Sequence, residues 1–258
     1  MPSNLRLICW NVNGIRAAQK KGFIEWVKKA SPDILCLQET KAQIEQLDDE
    51  LVHIDKYESH FHSAAKKGYS GVAIYTRQKP IAVHEGMGDP KFDVEGRVIS
   101  AEFPEFILYN IYFPNGGRGP ERVQYKLEFY ETILAQWQKL RKKGKHIIVC
   151  GDVNTAHKEI DVAKPEQWSK ETGFLPEERA WIDKIVSLGY VDTFREFNKE
   201  PEQYTYWDQI TRARLRNEGW RIDYFFVTKD LMPKVKNATI LADVDGSDHC
   251  PIGLELKV

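Results

Sequence analysis

A chain of 258 residues with 42% hydrophobic side chains can bury one large layered core, and its formal charge of -1 excludes a protein that holds nucleic acid by net attraction. Any such attraction has to come from charge gathered on one face: Lys20 with Lys21, Lys66 with Lys67, Arg141 to Lys145, or Arg212 with Arg214 and Arg216. No basic segment followed by a long apolar one opens the chain and no run nears the ~18 apolar residues of a membrane span, so neither a secretory leader nor a membrane anchor is expected.

The first apolar run, Leu5 to Trp10, reads as a strand and leads into WNVNG, with Asn11 and Asn13. Phe23, Trp26, Val27 and Ala30 then share one helical face. The run Ile34 to Leu37 predicts a second strand, followed by ETK with Glu39, and Val72 to Tyr75 a third. Val98 to Phe103 and Phe106 to Phe113 are parted only by Pro104 and Glu105, which predicts a tight antiparallel hairpin and a sheet that is not wholly parallel. Leu127, Tyr130, Leu134 and Trp137 form the next helical face, with Gly144 as its stop. Strand Ile147 to Cys150 runs into GDVNTAH, carrying Asp152 and Asn154. From His157 to Thr172 no convincing element is found, and loops of that length often carry function. A helix over Trp181, Ile182, Ile185 and Val186 stops at Gly189, and strands at Tyr224 to Val227 and Ile252 to Val258 flank GSDH, with Asp248 and His249. The expected fold class is α/β, a mixed sandwich in one domain over residues 1–258.

Cys9, Cys36, Cys150 and Cys250 lie far apart without CxxC spacing, and three sit inside apolar runs. They are expected to be small buried hydrophobes of a reducing cytosol, hence a cytoplasmic protein.

The polar strings fall at strand ends. Asn11, Glu39 and Asp152 each follow a strand, where parallel neighbours would bring them to one edge, and an antiparallel last strand would place Ser247, Asp248 and His249 at the same edge. Glu39, Asp152, Asn154 and Asp248 are oxygen donors, which favours magnesium or manganese over zinc. Asp223 in GWRIDYFF is a charge set against an apolar run, costly to bury unpaired, and His249 is its natural partner. Such a pair fixes the imidazole tautomer and raises its basicity. That inventory suits metal-assisted hydrolysis of a phosphodiester.

With WNVNGIRA, DILCLQETK, KKGYSGVA, EGRV, YFPNGGRG, GDVNTAHKEID, ERAWIDK, GWRIDYF and GSDHCP in that order, the chain resembles, end to end, the exonuclease III type of apurinic/apyrimidinic (AP) endonucleases within the endonuclease/exonuclease/phosphatase superfamily. The resemblance implies a four-layered α/β sandwich of two packed mixed β-sheets flanked by helices. It implies Glu39 as principal metal ligand with Asn11, Asp152, Asn154 and Asp248 around the ion, Mg2+ with Mn2+ as substitute. Asp152 would activate water or protonate the leaving oxygen, Asn154 would hold Asp152 and the phosphate, Tyr112 would contact the phosphate, and the Asp223 and His249 pair would act from the opposite side. Asn13 stands where some members carry Asp. Tyr206, Trp220 and Ile222 would form the pocket for a flipped, baseless sugar, Arg118 and Tyr69 would brace the distorted duplex, and Arg16, Lys21 and Asn115 would meet phosphates. The partner implied is double-stranded DNA with an abasic site or a blocked 3′ end, bound by a monomer. Incision 5′ to the abasic site, removal of 3′ blocking groups and 3′ to 5′ exonuclease activity are the reactions implied.

Overall fold

Alternation of short apolar runs with helical repeats is realised as two sheets between helices. The structure, a computed structural model, describes residues 4–257. In chain order come β1 (Asn4–Asn11), α1 (Ile15–Gln19), α2 (Phe23–Ala30), β2 (Ile34–Gln38), α3 (Asp49–Val52), β3 (Glu58–His62) and β4 (Val72–Thr76). There follow β5 (Ala82–Glu85), α4 (Pro90–Asp93), β6 (Val98–Glu102), β7 (Ile107–Tyr112), α5 (Pro120–Arg141), β8 (Ile147–Asp152), α6 (Pro165–Trp168) and α7 (Pro176–Ser187). The chain closes with β9 (Tyr190–Asp192), α8 (Thr193–Phe197), β10 (Asp223–Thr228), β11 (Val235–Ile240) and β12 (Ile252–Lys257). The expected strand end at Val258 lies outside the described residues.

One sheet runs β11-β12-β1-β2-β4-β3 and the other β5-β6-β7-β8-β10-β9. Each is antiparallel except for one central parallel pair, β1 with β2 and β7 with β8. The hairpin over Pro104 and Glu105 joins β6 to β7, closed by the Phe103 N–H donating to the Phe106 carbonyl at 2.9 Å. The inner faces meet in a core that includes Leu7, Cys9, Cys36 and Ile74 from the first sheet and Ile99, Leu108, Ile148, Cys150 and Phe225 from the second. On the first sheet's outer face, Trp10, Leu35 and Tyr75 pack under Ile15, Phe23, Ile24 and Val27 of α1 and α2. On the second's, Tyr109, Val149 and Phe226 pack under Phe129, Ile133 and Trp137 of α5 and Trp181, Ile182 and Ile185 of α7. The result is the expected four layers. All four cysteines are free and buried. Among the described residues no helix is long and apolar enough to cross a membrane.

Two expectations are corrected. Val186 stays exposed, because Trp181, Ile182 and Ile185 already fill the stripe of α7 and Val186 falls at its margin. Asp152 does not stand on a parallel neighbour of β1 and β2: β8 belongs to the opposite sheet, so the cluster bridges two sheets rather than lying along one. A buried amide clasp joins the sheets beneath it, with Gln38 Nε2 donating to Asn110 Oδ1 at 2.5 Å and Asn110 Nδ2 to the carbonyls of Leu37 and Ala73. The stretch 157–172 contains only a single 3-10 turn, Glu159–Asp161, and the four-residue α6.

Candidate active site

Asn11 is the last residue of β1, Tyr112 of β7 and Asp152 of β8, while Asp223 opens β10 directly opposite Asp152. Antiparallel β12 delivers His249 to the same edge. Gly151 makes the close pass that sets up Asp152: a Cβ there would fall 1.8 Å from the Ile111 carbonyl oxygen, and its φ of +145° suits no other residue. Asn13, Glu39 and Asn154 have φ of 47°, 52° and 54°. Asparagine tolerates that left-handed region; glutamate is strained there by about 1–2 kcal/mol. Flanking backbone bonds enforce it: Gly14 N–H to the Glu39 carbonyl at 2.7 Å, Thr40 N–H to the Gly71 carbonyl at 3.1 Å and Lys41 N–H to the Ser70 carbonyl at 2.8 Å.

The side chains converge. Asn11 Nδ2 donates to Glu39 Oε1 and to Asp152 Oδ2, both at 2.9 Å, and its Oδ1 accepts the Asn13 N–H at 3.0 Å. Asp152 Oδ1 accepts the Asn154 N–H at 2.8 Å, and Asn154 Nδ2 reaches the Phe113 carbonyl at 2.9 Å. Asp248 takes Asn13 Nδ2 and Ser247 Oγ, each at 3.0 Å. His249 Nδ1 lies 2.8 Å from Asp223 Oδ2, and its Nε2 lies 3.8 Å from Asp152 Oδ2. Glu39 and His249 therefore line one cleft of ≈ 880 Å³, together with Tyr112, Asn115, Asp152, Asn154, Tyr206, Trp220, Ile222 and Asp248.

Burial pushes Asp152 up to about 7, with the charges of Asp223 and Glu39 adding to it against the pull of His249. Burial disfavours the imidazolium, yet Asp223 and Asp152 together raise His249 to about 10. Burial also works against the Glu39 carboxylate, but Lys41, 2.7 Å from its Oε2, brings it below the usual range. The phenol of Tyr112 is raised well above its ordinary value by burial and by Glu39.

These charges are a test of whether a metal fits. Asp152, Asp223 and His249 could themselves gather around an ion, their ligand atoms all lying within 4.8 Å of one another. Asp223 already engages His249 Nδ1 at 2.8 Å, however, which leaves only Nε2 for an ion on that side. The other side of Asp152 suits a cation better. Glu39, Asp152 and Asp248 face the cleft with oxygen donors alone, the donor set that a hard divalent ion takes, and burial of the Asp152 carboxylate beside Glu39 is a cost that such an ion would offset.

Beside the acidic centre lies an apolar wall. Trp220 pairs with Tyr206 through two 2.9 Å backbone bonds, Tyr206 pairs with His249, and Ile222 is buried behind them with Phe174 and Val162. Asn115 donates to Asn154 Oδ1 at 2.9 Å. Arg16, Lys21, Tyr69 and Arg118 stand outside the cleft lining: Arg16 and Arg118 project into solvent, Lys21 Nζ donates to the Gly246 carbonyl at 3.0 Å, and Tyr69 accepts from Arg97 and Arg122. Arg97 is buried, donates to the Tyr112 carbonyl at 3.0 Å and lies 4.6 Å over the Tyr112 ring, so it ties Tyr69 to Tyr112. Sequence reasoning missed Arg97, Lys41 and Trp168, although EGRV and ETK contain the first two and Trp168 is a lone large aromatic in a polar stretch. Ile210 and Leu215, 93% and 83% exposed, are chain neighbours of the cleft-lining Thr211 and Arg216.

The model of the endonuclease/exonuclease/phosphatase family matches residues 8–249. The chain is 41% identical over 256 residues to an exodeoxyribonuclease of Bacillus subtilis, covering 98% of this chain and 100% of that one. It is 41% identical over 255 residues to a DNA-(apurinic or apyrimidinic site) endonuclease of Dictyostelium discoideum, covering 98% of this chain and 70% of the other. An AP endonuclease from Archaeoglobus fulgidus shares the fold with a TM-score of 0.89 and 31% identity, over 98% of this chain and 100% of that one. Carboxylates, imidazole and aromatic wall in one cleft, with these similarities over nearly the whole length, make the chain a member of the endonuclease/exonuclease/phosphatase family, in its exonuclease III-type branch of AP endonucleases.

Proposed function

We propose that this chain is a DNA repair hydrolase that cleaves the phosphodiester 5′ to an abasic site in duplex DNA, leaving a 3′-hydroxyl and a 5′-deoxyribose phosphate. The same centre removes 3′ blocking groups and 3′-terminal nucleotides. The carrying observation is that the acidic centre and the apolar wall of Tyr206, Trp220 and Ile222 share one cleft. A phosphatase of small polar substrates has no use for that wall; a sugar without its base does.

Glu39, Asp152 and Asp248 would hold Mg2+, or Mn2+ in its place, with Asn11 spanning Glu39 and Asp152 and Asn154 fixing Asp152. Bound there, the ion supplies positive charge to the phosphate. Asp152, fixed by the Asn154 N–H and 3.8 Å from His249 Nε2, takes the proton of the attacking water. His249, aligned by Asp223 and carrying the imidazolium proton, donates to the phosphate and supplies the proton that the leaving 3′ oxygen takes up as the P–O bond breaks, and the neutral Tyr112 hydroxyl donates to another phosphate oxygen. Arg16, Lys21, Asn115, Arg118 and Tyr69 contact the duplex around the cleft and set its register without reading sequence. We assign these roles to a monomer of one domain in a reducing cytoplasm, which the four free buried thiols support.

The test is a duplex oligonucleotide with one abasic analogue, incubated with magnesium or with chelator, beside an inositol phosphate control. Cleavage of DNA alone, and only with metal, is expected; turnover of the inositol phosphate or cleavage in chelator would overturn the reading. Glu39→Ala should abolish incision at low magnesium and regain part of it at high magnesium, and a variant that no concentration rescues would count against a ligand role.

A further inference from the structure

We propose that Trp168 is a positioning residue for abasic recognition: by stacking on Trp220 it holds the wall against which the baseless sugar packs. The inference rests on the function proposed above and deepens it. Trp168 ends α6, in the 157–172 stretch to which that function assigns no part.

The Trp168 and Trp220 rings stack at 4.6 Å with 23° between planes, and Phe174 meets Trp220 edge-on at 6.4 Å and 87°. Trp220 is thus gripped on a face and on an edge. Its backbone is fixed by the pairing with Tyr206, whose ring lies 4.9 Å from that of His249. Ring stacking links Trp168 to Trp220, backbone pairing links Trp220 to Tyr206, and the Tyr206 ring meets the imidazole of His249. Backbone pairing places the Trp220 Cα but leaves its two side-chain torsions to whatever covers the ring. Phe174 and Ile222 cover it from the core, and Trp168 covers it from the rim.

Trp137 and Trp181 serve the fold from within the core. Trp168 is instead half-buried, lines the cleft and belongs to a four-residue helix, which packs through it on the small cluster of Ala156, Val162, Phe174 and Ile222 and is pinned nearby by Lys164 to Glu218 at 2.9 Å. Its loss falls on Trp220 rather than on the two-sheet core. The acidic centre does not touch it, so chemistry should be spared while recognition suffers.

The experiment compares Trp168→Ala and Trp168→Phe with the unaltered full chain. Equilibrium binding is measured in chelator to a duplex with one tetrahydrofuran abasic analogue and to the same duplex undamaged, and KM and kcat for incision are then measured with magnesium. Trp168→Ala should weaken abasic binding about 3- to 10-fold, the range of an aromatic pair, and undamaged binding less than about twofold. KM should rise by a similar factor while kcat holds, and Trp168→Phe should retain most of the affinity. Unchanged abasic affinity in a folded variant, or equal loss on both duplexes, overturns the inference. An unaltered protein that binds the two duplexes equally refutes the proposed function instead. If Trp168→Ala does not fold, Trp168→Leu, apolar but without a π face, takes its place with the same expectation.

Discussion

Glu178→Ala should be among the most destabilising single substitutions in this protein. Glu178 on α7 and Lys126 on α5 are wholly buried, with Nζ 2.6 Å from Oε1. The ammonium spends its other two protons on the Asn154 carbonyl and Thr155 Oγ1, both at 2.7 Å, and Glu178 also accepts the Thr172 hydroxyl and the N–H groups of Gly173 and Leu175. Truncating the carboxylate strands a buried cation and three donors at once. Breaking a buried pair from one side costs about 3–5 kcal/mol, because the remaining charge is left unpaired. Burial already lowers the Lys126 pKa against the pull of Glu178 and Asp152, so the variant should relieve itself in part by losing the lysine proton. In urea the midpoint should fall by about 1–2 M at constant m. Lys126→Met should lose a similar amount, and Lys126→Met with Glu178→Leu distinctly less than the two losses combined, since the double variant buries no orphaned charge. A single variant that loses under about 1 kcal/mol, or a double variant that loses the full sum, would refute the reasoning.

Asp223→Asn keeps the shape beside His249 but removes the charge that aligns and raises it, so single-turnover incision should slow about 10²-fold or more, and a loss under about threefold would remove the pair from the chemistry. Acid stability should trace to Asp161. Burial alone would raise this carboxyl, but Arg221 and Arg195 hold it down to about 2 from an unfolded value near 3.8. A depressed folded pKa stabilises above the unfolded value and is lost as pH falls through the folded one. The contribution of about 2 kcal/mol should therefore be complete above about pH 4 and vanish towards pH 2. Urea unfolding across that window should show a shallower pH slope for Asp161→Asn, and an unchanged slope would show that other carboxylates carry it.

How much of the fold the sequence discloses follows from position in the sheets. The strands read from apolar runs, β1, β2, β4, β6, β7, β8, β10 and β12, are the inner members, whereas β3, β5, β9 and β11 escaped and occupy the four edges. An edge strand is solvated along one side and needs no continuous apolar run: ESHFH of β3 buries only Phe61 fully, and AVHE of β5 buries nothing fully. The acidic centre was legible because each ligand candidate sits next to a strand whose end is readable. Lys126 and Glu178 were not, since 52 residues separate them and each alone looks like a solvated helix charge. Trp168 was hidden for the opposite reason, in a stretch with no periodicity to say where its ring would turn.

Because Asn11 and Glu39 ride on one sheet while Asp152 and Asp223 ride on the other, the reach between these candidate catalytic groups is a thickness measured through the interior. Cys9, Cys36, Cys150 and the Gln38 to Asn110 clasp act as its spacers. A bulkier side chain among them would work like a shim in a vise, parting Glu39 from Asp152 without altering a single residue that DNA could touch.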